Sequence, residues 1–292
     1  MLDYIGPVFR PPSEWKSLIL QVTNGCSWNQ CAFCDMYTQP QKRFRAFKAD
    51  KIEADLQQVA ASGRPVSRVF LADGDAMTLP FARLEAICEL IHHYLPGVQR
   101  ISSYCLPRNL SNKTPEQLQR LRELGLSLLY VGCESGDDEV LRRIGKGETY
   151  ASSLAALEKM HSAGIKSSVM ILSGLGGEAL SRQHALASAA LMNAAQPHYL
   201  STLVVSLPLG KQRLDACYEG DFRLPSTRGL LDELALMLEQ LELRQTIFRS
   251  DHASNYLALK GILGRDKARL LDELRQARDG LLPLRQEWQR GL

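Results

Sequence analysis

An alternation of strand-like and helix-like segments is the feature of this sequence that most constrains its fold. Short apolar runs rich in β-branched residues are separated by stretches in which apolar residues recur with the helical period. These runs cover residues 17–23, 67–75, 99–106, 126–136, 165–177 and 198–210. Strict alternation of this kind predicts a parallel sheet, because parallel neighbours need a crossover connection that a helix supplies. We therefore expect an α/β fold.

The positions of the predicted helices indicate three regions in the chain. Predicted helices cover 48–63, 81–95, 114–125, 153–164 and 181–196 in the first two thirds, then 229–243 and 266–292. Gly63, Gly125 and Gly164 stand where a left-handed residue would end a helix. We predict an N-terminal arm over 1–16, a partial (β/α)6 barrel, similar to an incomplete TIM barrel, over 17–210, and a mostly helical C-terminal extension over 211–292.

The charge balance and the apolar runs argue against a dedicated nucleic-acid binder and against a membrane-spanning or secreted protein. The 35 Lys and Arg against 32 Asp and Glu leave a net charge of +3, well short of the excess typical of a dedicated nucleic-acid binder. No apolar run approaches the roughly 20 residues that span a bilayer, and the N-terminal arm lacks the apolar core of a signal peptide. We expect a cytoplasmic protein without a membrane partner. Its seven cysteines then favour a metal site over disulfides.

Three of these cysteines, Cys26, Cys31 and Cys34, lie in the stretch QVTNGCSWNQCAFCDMY, directly after the first predicted strand. Thiolates at the spacing Cys-x4-Cys-x2-Cys are soft donors for zinc or an iron–sulfur cluster. Structural zinc or a ferredoxin-type cluster needs a fourth protein ligand. Cys88 and the histidine pair at 92–93 lie in a predicted helix, at no suitable spacing. A four-iron cluster on three cysteines instead leaves one iron open to a ligand from outside the protein.

Further polar residues fall at the carboxyl ends of predicted strands, where parallel α/β folds place their ligands. Asp73, Gly74 and Asp75 end the second strand. Glu134 ends the fourth strand, and Ser173 opens a glycine-rich stretch at the end of the fifth. The pattern predicts that a ligand binds at this edge of the sheet.

In this combination, the sequence resembles the radical SAM superfamily, and within it the subgroup of oxygen-independent coproporphyrinogen dehydrogenase. In that family the cluster loop follows the first strand and an aromatic residue precedes the third cysteine, as Phe33 precedes Cys34. The resemblance spans 17–210 and implies an enzyme whose [4Fe-4S] cluster, held by three cysteines, binds and reductively cleaves S-adenosylmethionine (SAM). The resulting 5′-deoxyadenosyl radical then abstracts hydrogen from a substrate. The first cysteine gap has four residues here, where the family usually has three.

The resemblance also implies contacts to SAM. The turn 73–75 stands where the family holds the methionine ammonium, and carboxylates suit that charge. Glu134 and Lys146 stand where the subgroup contacts the SAM amino acid or ribose. Ile171 and Ser173 stand in the adenine-contact motif of the fifth strand.

The sequence gives less information about the residues that contact the substrate. Tyr104 stands where coproporphyrinogen-type relatives offer a carboxylate to the ribose, which argues against porphyrinogen oxidation. We count Tyr104, with His252 and Asn255, among the candidate catalytic residues. The polar stretch FRSDHASNYLALKG, 248–261, is interpreted either as a capped loop or as a lid through which His252 and Asn255 contact a small or medium organic substrate. The resemblance implies a flavodoxin- or ferredoxin-type electron donor.

Two alternatives remain at this stage. The chain could be a non-catalytic iron–sulfur or zinc protein in electron transfer or assembly. It could also be an RNA-modifying radical SAM enzyme, since the basic and aromatic residues of 41–48 resemble a phosphate-gripping, base-stacking surface. A solvated barrel rim is the interpretation that we prefer for 41–48.

Overall fold

Strands and crossover helices alternate along the chain in the computed structural model, which describes residues 2–290. The strands are β1 (Leu18–Gln21), β2 (Thr23–Asn24), β3 (Arg45–Ala46), β4 (Arg68–Ala72), β5 (Arg100–Cys105), β6 (Leu126–Glu134), β7 (Lys166–Ser173), β8 (Tyr199–Val204), β9 (Ile247–Ser250) and β10 (Leu259–Ile262). The helices are α1 (Ala49–Ala61), α2 (Phe81–Tyr94), α3 (Pro115–Glu123), α4 (Asp138–Arg143), α5 (Tyr150–Ser162), α6 (Gly177–Ala195), α7 (Gln212–Cys217), α8 (Thr227–Gln240) and α9 (Lys267–Arg278).

The first of two compact units contains the described residues up to Asn29, then Met36–Val131 and Glu158–Ser167. Its main strands are all parallel and follow the order β1-β4-β5-β6. Most apolar side chains of these strands are buried, as expected for a parallel sheet covered by helices. The short strands β2 and β3 pair antiparallel beside it.

The second unit contains Gln30–Asp35, Gly132–Leu157 and the described chain from Ser168 onward. Strands β7, β8 and β9 are parallel neighbours, and β10 pairs antiparallel with β9. Helix α8 packs between α6 and α9. The segment of the cysteine loop that carries Cys31 and Cys34 thus belongs to this unit, whereas Cys26 belongs to the first.

The structure confirms the predicted fold class. The six predicted strands correspond to β1, β4, β5, β6, β7 and β8. Gly63, Gly125 and Gly164 all adopt positive φ values, as the predicted helix ends require. Local signals also explain individual helices: the Thr114 hydroxyl accepts a hydrogen bond from the Gln117 amide, and Pro115 occupies the first turn of α3.

The C-terminal region differs from its mostly helical prediction in two respects. The polar stretch 248–261 contains most of β9 and β10, which extend the sheet of the second unit. The helix predicted over 266–292 ends at Arg278, because Gly280 adopts a φ of 75° and Pro283 cannot continue a helix. Four-residue strands without polar alternation give no periodic signal, which is why the sequence did not reveal them.

Candidate functional site

The pairing of β2 with β3 closes the base of the cysteine loop in the first unit. The Asn24 side-chain amide donates to the Gln41 carbonyl oxygen at 2.8 Å. Gly25 adopts a φ of 71°, and a Cβ atom there would collide with the Lys42 carbonyl. Only glycine therefore fits the sharp turn that delivers Cys26, which is partly exposed at the start of the loop.

The acidic turn after β4 is packed against the same loop. The Asp73 carboxylate forms a fully buried ion pair with the Lys42 ammonium, which also donates to the Ile5 carbonyl oxygen at 3.0 Å. A Cβ atom at Gly74 would collide with the Tyr37 ring. Lys42, which we predicted to lie on a solvated rim, is therefore an interior residue paired with Asp73.

Asp75 ties this turn to the residue that follows Cys26. Its Oδ2 accepts hydrogen bonds from the Ser27 hydroxyl and from the Ser27 backbone amide, the latter at 3.3 Å. Burial raises the pKa of the Asp75 carboxyl, although the Ser27 hydrogen bonds and the Arg108 charge oppose that rise. Arg108 lies over the Trp28 ring, 3.7 Å from its centroid. The four-residue gap between the first two cysteines is thus anchored, at Ser27 and Trp28, by contacts within the first unit.

Tyr104 lies on β5 among aromatic side chains. Its ring packs edge-on against Phe70 and Tyr130, with centroid separations of 5.1 and 6.3 Å. Burial raises the pKa of the Tyr104 hydroxyl, which therefore stays protonated at neutral pH.

In the second unit, the end of β6 carries a buried ion pair. The Lys146 ammonium lies 3.0 Å from Glu134 Oε1, and both side chains are almost fully buried. Burial disfavours the Lys146 charge, but the combined attraction of Glu134, Cys31 and Cys133 outweighs it and raises the pKa of Lys146. Glu134 adopts a φ of 66°, and a Cβ atom at Gly132 would collide with its carboxylate.

This pair brings together two residues that the sequence predicted separately. Within the described residues, the second carboxylate oxygen of Glu134 is buried without a hydrogen bond. A buried carboxylate oxygen needs a donor. Glu134 therefore fits a cationic or hydrogen-donating ligand.

Cys31 and Cys34 lie in a tight turn, in which the Cys34 amide donates to the Cys31 carbonyl oxygen at 3.2 Å. The Ala32 amide donates to the Ile144 carbonyl oxygen at 2.8 Å. Ala32 and Phe33 pack into or against an apolar cluster of the second unit. The buried members of this cluster are Ala32, Val140, Leu141, Ile144, Leu172, Leu175, Val205, Leu214, Tyr218 and Phe222. Phe33, expected from the resemblance to accompany the third cysteine, thus secures the turn by packing.

Arg213, on α7, was not identified from the sequence and contacts this turn directly. Its Nη2 donates to the Cys31 carbonyl oxygen at 2.7 Å. Its Nη1 donates to the Cys34 carbonyl oxygen at 2.8 Å and to the Asp35 carboxylate at 2.9 Å. The arginine lies about 180 residues beyond the turn, so no local pattern could have connected them.

Ile171 and Ser173 lie on β7, with Ile171 fully buried and Ser173 at the strand end. The next residue, Gly174, donates its amide hydrogen to Glu233 of α8 at 2.8 Å. Ser173 also lines a cavity of about 20 Å³ with Asn255 and other residues. The glycine-rich stretch is thus held by the C-terminal region.

The Asn255 side chain is engaged with the ends of β8 and β9. Its Oδ1 accepts from the Val204 amide at 2.8 Å, and its Nδ2 donates to the Thr202 carbonyl oxygen at 2.8 Å and to the Ser250 hydroxyl at 3.0 Å. These hydrogen bonds support a structural role for Asn255. Its predicted contact with a substrate stays a prediction.

His252 lies in the same loop, half-buried. Its Nδ1 accepts a hydrogen bond from the Ser254 amide at 3.1 Å. Burial, and then the positive charge of Arg285, lower the pKa of His252 below its ordinary value, although Asp251 opposes that shift. The neutral imidazole is therefore the form that the fold favours.

The donor chemistry fits an iron–sulfur cluster. None of the seven cysteines forms a disulfide, and thiolates are the preferred ligands of such clusters. Within residues 2–290, no three His, Cys, Asp or Glu side chains are grouped so that they could hold a metal ion. Each thiolate of a four-iron cluster binds a different iron, so a cluster does not require its ligands to converge on one point.

The α/β fold and the three cysteines of the loop fit an iron–sulfur protein. Residues 20–188, more than half of the 292-residue chain, match the Radical SAM superfamily. The chain belongs to this superfamily.

Curated relatives are similar over only part of their length. The heme chaperone HemW of Bacillus subtilis (strain 168) is 22% identical over 183 residues, which cover 60% of this chain and 47% of the relative. The 4'-phospho-dehydrooxetanocin synthase of Priestia megaterium is 24% identical over 184 residues, or 56% of this chain and 24% of the relative. The chain spans less than half the length of either relative.

Solved structures share the fold. Coproporphyrinogen III oxidase (HemN) from Escherichia coli has a TM-score of 0.56 and 19% identity, covering 77% of this chain and 52% of its own. Methylornithine synthase (PylB) has a TM-score of 0.51 and 17% identity, covering 92% and 83%. The methyltransferase TsrM from Kitasatospora setae, with tryptophan and a SAM analog bound, has a TM-score of 0.53 and 20% identity, covering 68% and 38%. These likenesses confirm the α/β, partial-barrel fold class. No described helix has the length and apolar character needed to cross a membrane.

Proposed function

We propose that Cys26, Cys31 and Cys34 hold the cluster and that the protein acts on a small or medium organic substrate. When bound, the cluster would supply the electron for cleavage of SAM into methionine and a 5′-deoxyadenosyl radical, which would take a hydrogen atom from that substrate. The observation that carries this proposal is the placement of Cys31 and Cys34 in a turn fixed by backbone hydrogen bonds and apolar packing. Their spacing from Cys26 then supplies three thiolates within nine positions.

Among the acidic residues, we propose that Asp75 and Glu134 receive the positive and hydrogen-donating groups of SAM. Asp73 has a buried ammonium partner in Lys42, so its contribution is to fix the turn 73–75. Lys146 orients the Glu134 carboxylate through one oxygen and leaves the other available for a ligand. Ile171 and Ser173 are proposed to contact the adenosine, because one offers apolar surface and the other a hydroxyl at a strand end.

Reductive SAM cleavage tests the enzymatic part of the proposal. The anaerobically reconstituted protein, reduced with dithionite, should release 5′-deoxyadenosine, and the Cys34→Ala variant should release none above background. Cys217→Ala is the matched control, since Cys217 is a partly exposed cysteine outside the loop. If the parent protein carries a full cluster yet leaves SAM intact, the proposal is wrong and the non-catalytic alternative is favoured.

SAM binding tests the assigned contacts. Glu134→Gln and Asp75→Asn should each weaken SAM binding about tenfold or more while iron content stays near that of the parent, because a carboxylate hydrogen bond to a charged group is worth roughly 1.5–3 kcal/mol. Glu139→Gln is the control, since Glu139 is an exposed glutamate on α4 whose partners are Arg142 and Arg143. Equal SAM affinity in all four proteins would refute these contacts.

The RNA-modifying alternative loses part of its support. Lys42, one of four basic residues in 41–48, is buried against Asp73 and is not part of an exposed basic surface. Arg43, Arg45 and Lys48 are exposed. Salt-dependent binding of tRNA by the parent protein, lost in an Arg43→Ala and Arg45→Ala double variant, would revive that alternative.

A further inference from the structure

The side chain of Arg213 bridges the backbone carbonyls of two proposed cluster ligands. One guanidinium nitrogen donates a hydrogen bond to the Cys31 carbonyl oxygen. The other donates to the Cys34 carbonyl oxygen and to the Asp35 carboxylate. A planar guanidinium can reach several acceptors in fixed directions, whereas a lysine ammonium is a single point charge on a flexible stem. A lysine at this position could therefore not make the same set of hydrogen bonds.

Helix α7 is itself anchored in the second unit. Leu214 and Tyr218 lie in the apolar cluster that also contains Ala32. The Tyr218 hydroxyl donates to the Leu175 carbonyl oxygen at 2.7 Å. The position of the Arg213 guanidinium is thus fixed by the packing of α7. Removal of the guanidinium would loosen the cysteine turn and leave α7 folded.

We infer that Arg213 is a positioning residue for the cluster: it fixes the spacing of Cys31 and Cys34 and sets, together with Asp35, the local charge that the cluster experiences. This inference rests on the proposed role of the three cysteines. A positive charge beside a cluster favours its reduction, and a negative charge disfavours it. Arg213 and Asp35 therefore act on the reduction potential in opposite directions. Because 41% of the Arg213 side chain is exposed, solvent screens much of its charge.

The test compares Arg213→Met, Arg213→Lys and Asp35→Asn with the parent, after anaerobic reconstitution and with iron content measured in each. Arg213→Met should lower the ratio of reduced to oxidised cluster about threefold at a fixed solution potential, and Asp35→Asn should raise it. Arg213→Lys keeps the positive charge but loses the forked hydrogen bonds of the guanidinium. The ratio of reduced to oxidised cluster should therefore stay near the parent value, whereas a chelator should remove the iron about tenfold faster.

Arg223→Met is the control, because Arg223 is an exposed arginine of the same segment whose ionic partner is the exposed Asp221. A second readout needs no cluster: in the apo-protein, hydrogen exchange of residues 30–35 should be faster in Arg213→Met than in Arg223→Met. If Arg213→Met does not fold, Arg213→Lys and Asp35→Asn decide the question. Variants that retain the parent's potential, iron-loss rate and exchange rate overturn the inference. A parent protein that assembles no cluster contradicts the proposed function instead.

Discussion

Two loops of the second unit are both fastened by distant arginines, but in different ways. The cysteine turn is held through its backbone carbonyls by Arg213. The loop 251–256 is held through its carbonyls by Arg285 and Arg290, and also through its own polar side chain, Asn255.

This difference separates two kinds of polar segment that look alike in a sequence. A loop whose polar side chains bond to the backbone of neighbouring strands contributes to stability. Backbone hydrogen bonds, which fasten both loops, also hold the side chains of a loop in a defined geometry, as a metal site requires. The contacts support a structural role for Asn255 and the proposed cluster-binding role of Cys31 and Cys34.

The largest expected effect is on the cysteine turn. A Cys31→Ala and Cys34→Ala double variant should lose essentially all cluster iron, because it removes two of three soft donors. Iron content and visible absorbance measure this loss. Cys217→Ala should retain parent levels, and a double variant that still binds a full cluster would contradict the assignment.

Asn255→Ala should have a smaller effect, and on a different quantity. It removes three buried hydrogen bonds and leaves the Val204 amide without its acceptor, so we expect a loss of about 2–3 kcal/mol in the free energy of unfolding. Urea denaturation of the apo-protein measures it. The exposed Asn112→Ala variant should change stability by less than about 0.5 kcal/mol. A stable Asn255→Ala protein that has lost only a substrate-dependent rate would restore the substrate role predicted from the sequence.

Arg285→Met tests whether the two loops differ in function. Its guanidinium donates to the His252 carbonyl oxygen at 2.7 Å and to the Asn255 carbonyl oxygen at 3.1 Å, and losing these bonds should cost about 1–2 kcal/mol. Cluster retention should not change. Accelerated iron loss in Arg285→Met, similar to that expected of Arg213→Met, would show that the two loops are not distinct in function.

The smallest effect concerns the protonation of His252. Its pKa is lowered in the folded protein, so the unfolded chain binds the proton more readily, and stability should fall as the pH drops below about 6.5. Arg285→Met removes a nearby positive charge and should raise the pKa of His252, whereas Asp251→Asn should lower it further. NMR titration of the imidazole measures both shifts. An unchanged pKa in both variants would contradict this account of the loop's electrostatics.

Sequence patterns predicted the six parallel strands because each carries a dense apolar run, and they predicted the positive φ of Gly63, Gly125 and Gly164. They did not predict β9 and β10, which are too short to show a period. Among the site residues, the family resemblance singled out Glu134 and Lys146, and the structure pairs them. It gave no sign of Lys42 or Arg213, because the partners of both residues lie far away in the sequence.

The proposed function requires that three cysteines bind a four-iron cluster and leave one iron to SAM. Mössbauer spectroscopy of protein reconstituted with ⁵⁷Fe, recorded with and without SAM, tests it most directly. We expect the signal of one iron in four to change when SAM is added, and the Glu134→Gln variant to need more SAM for the same change. Four iron sites that remain unchanged at saturating SAM would contradict it.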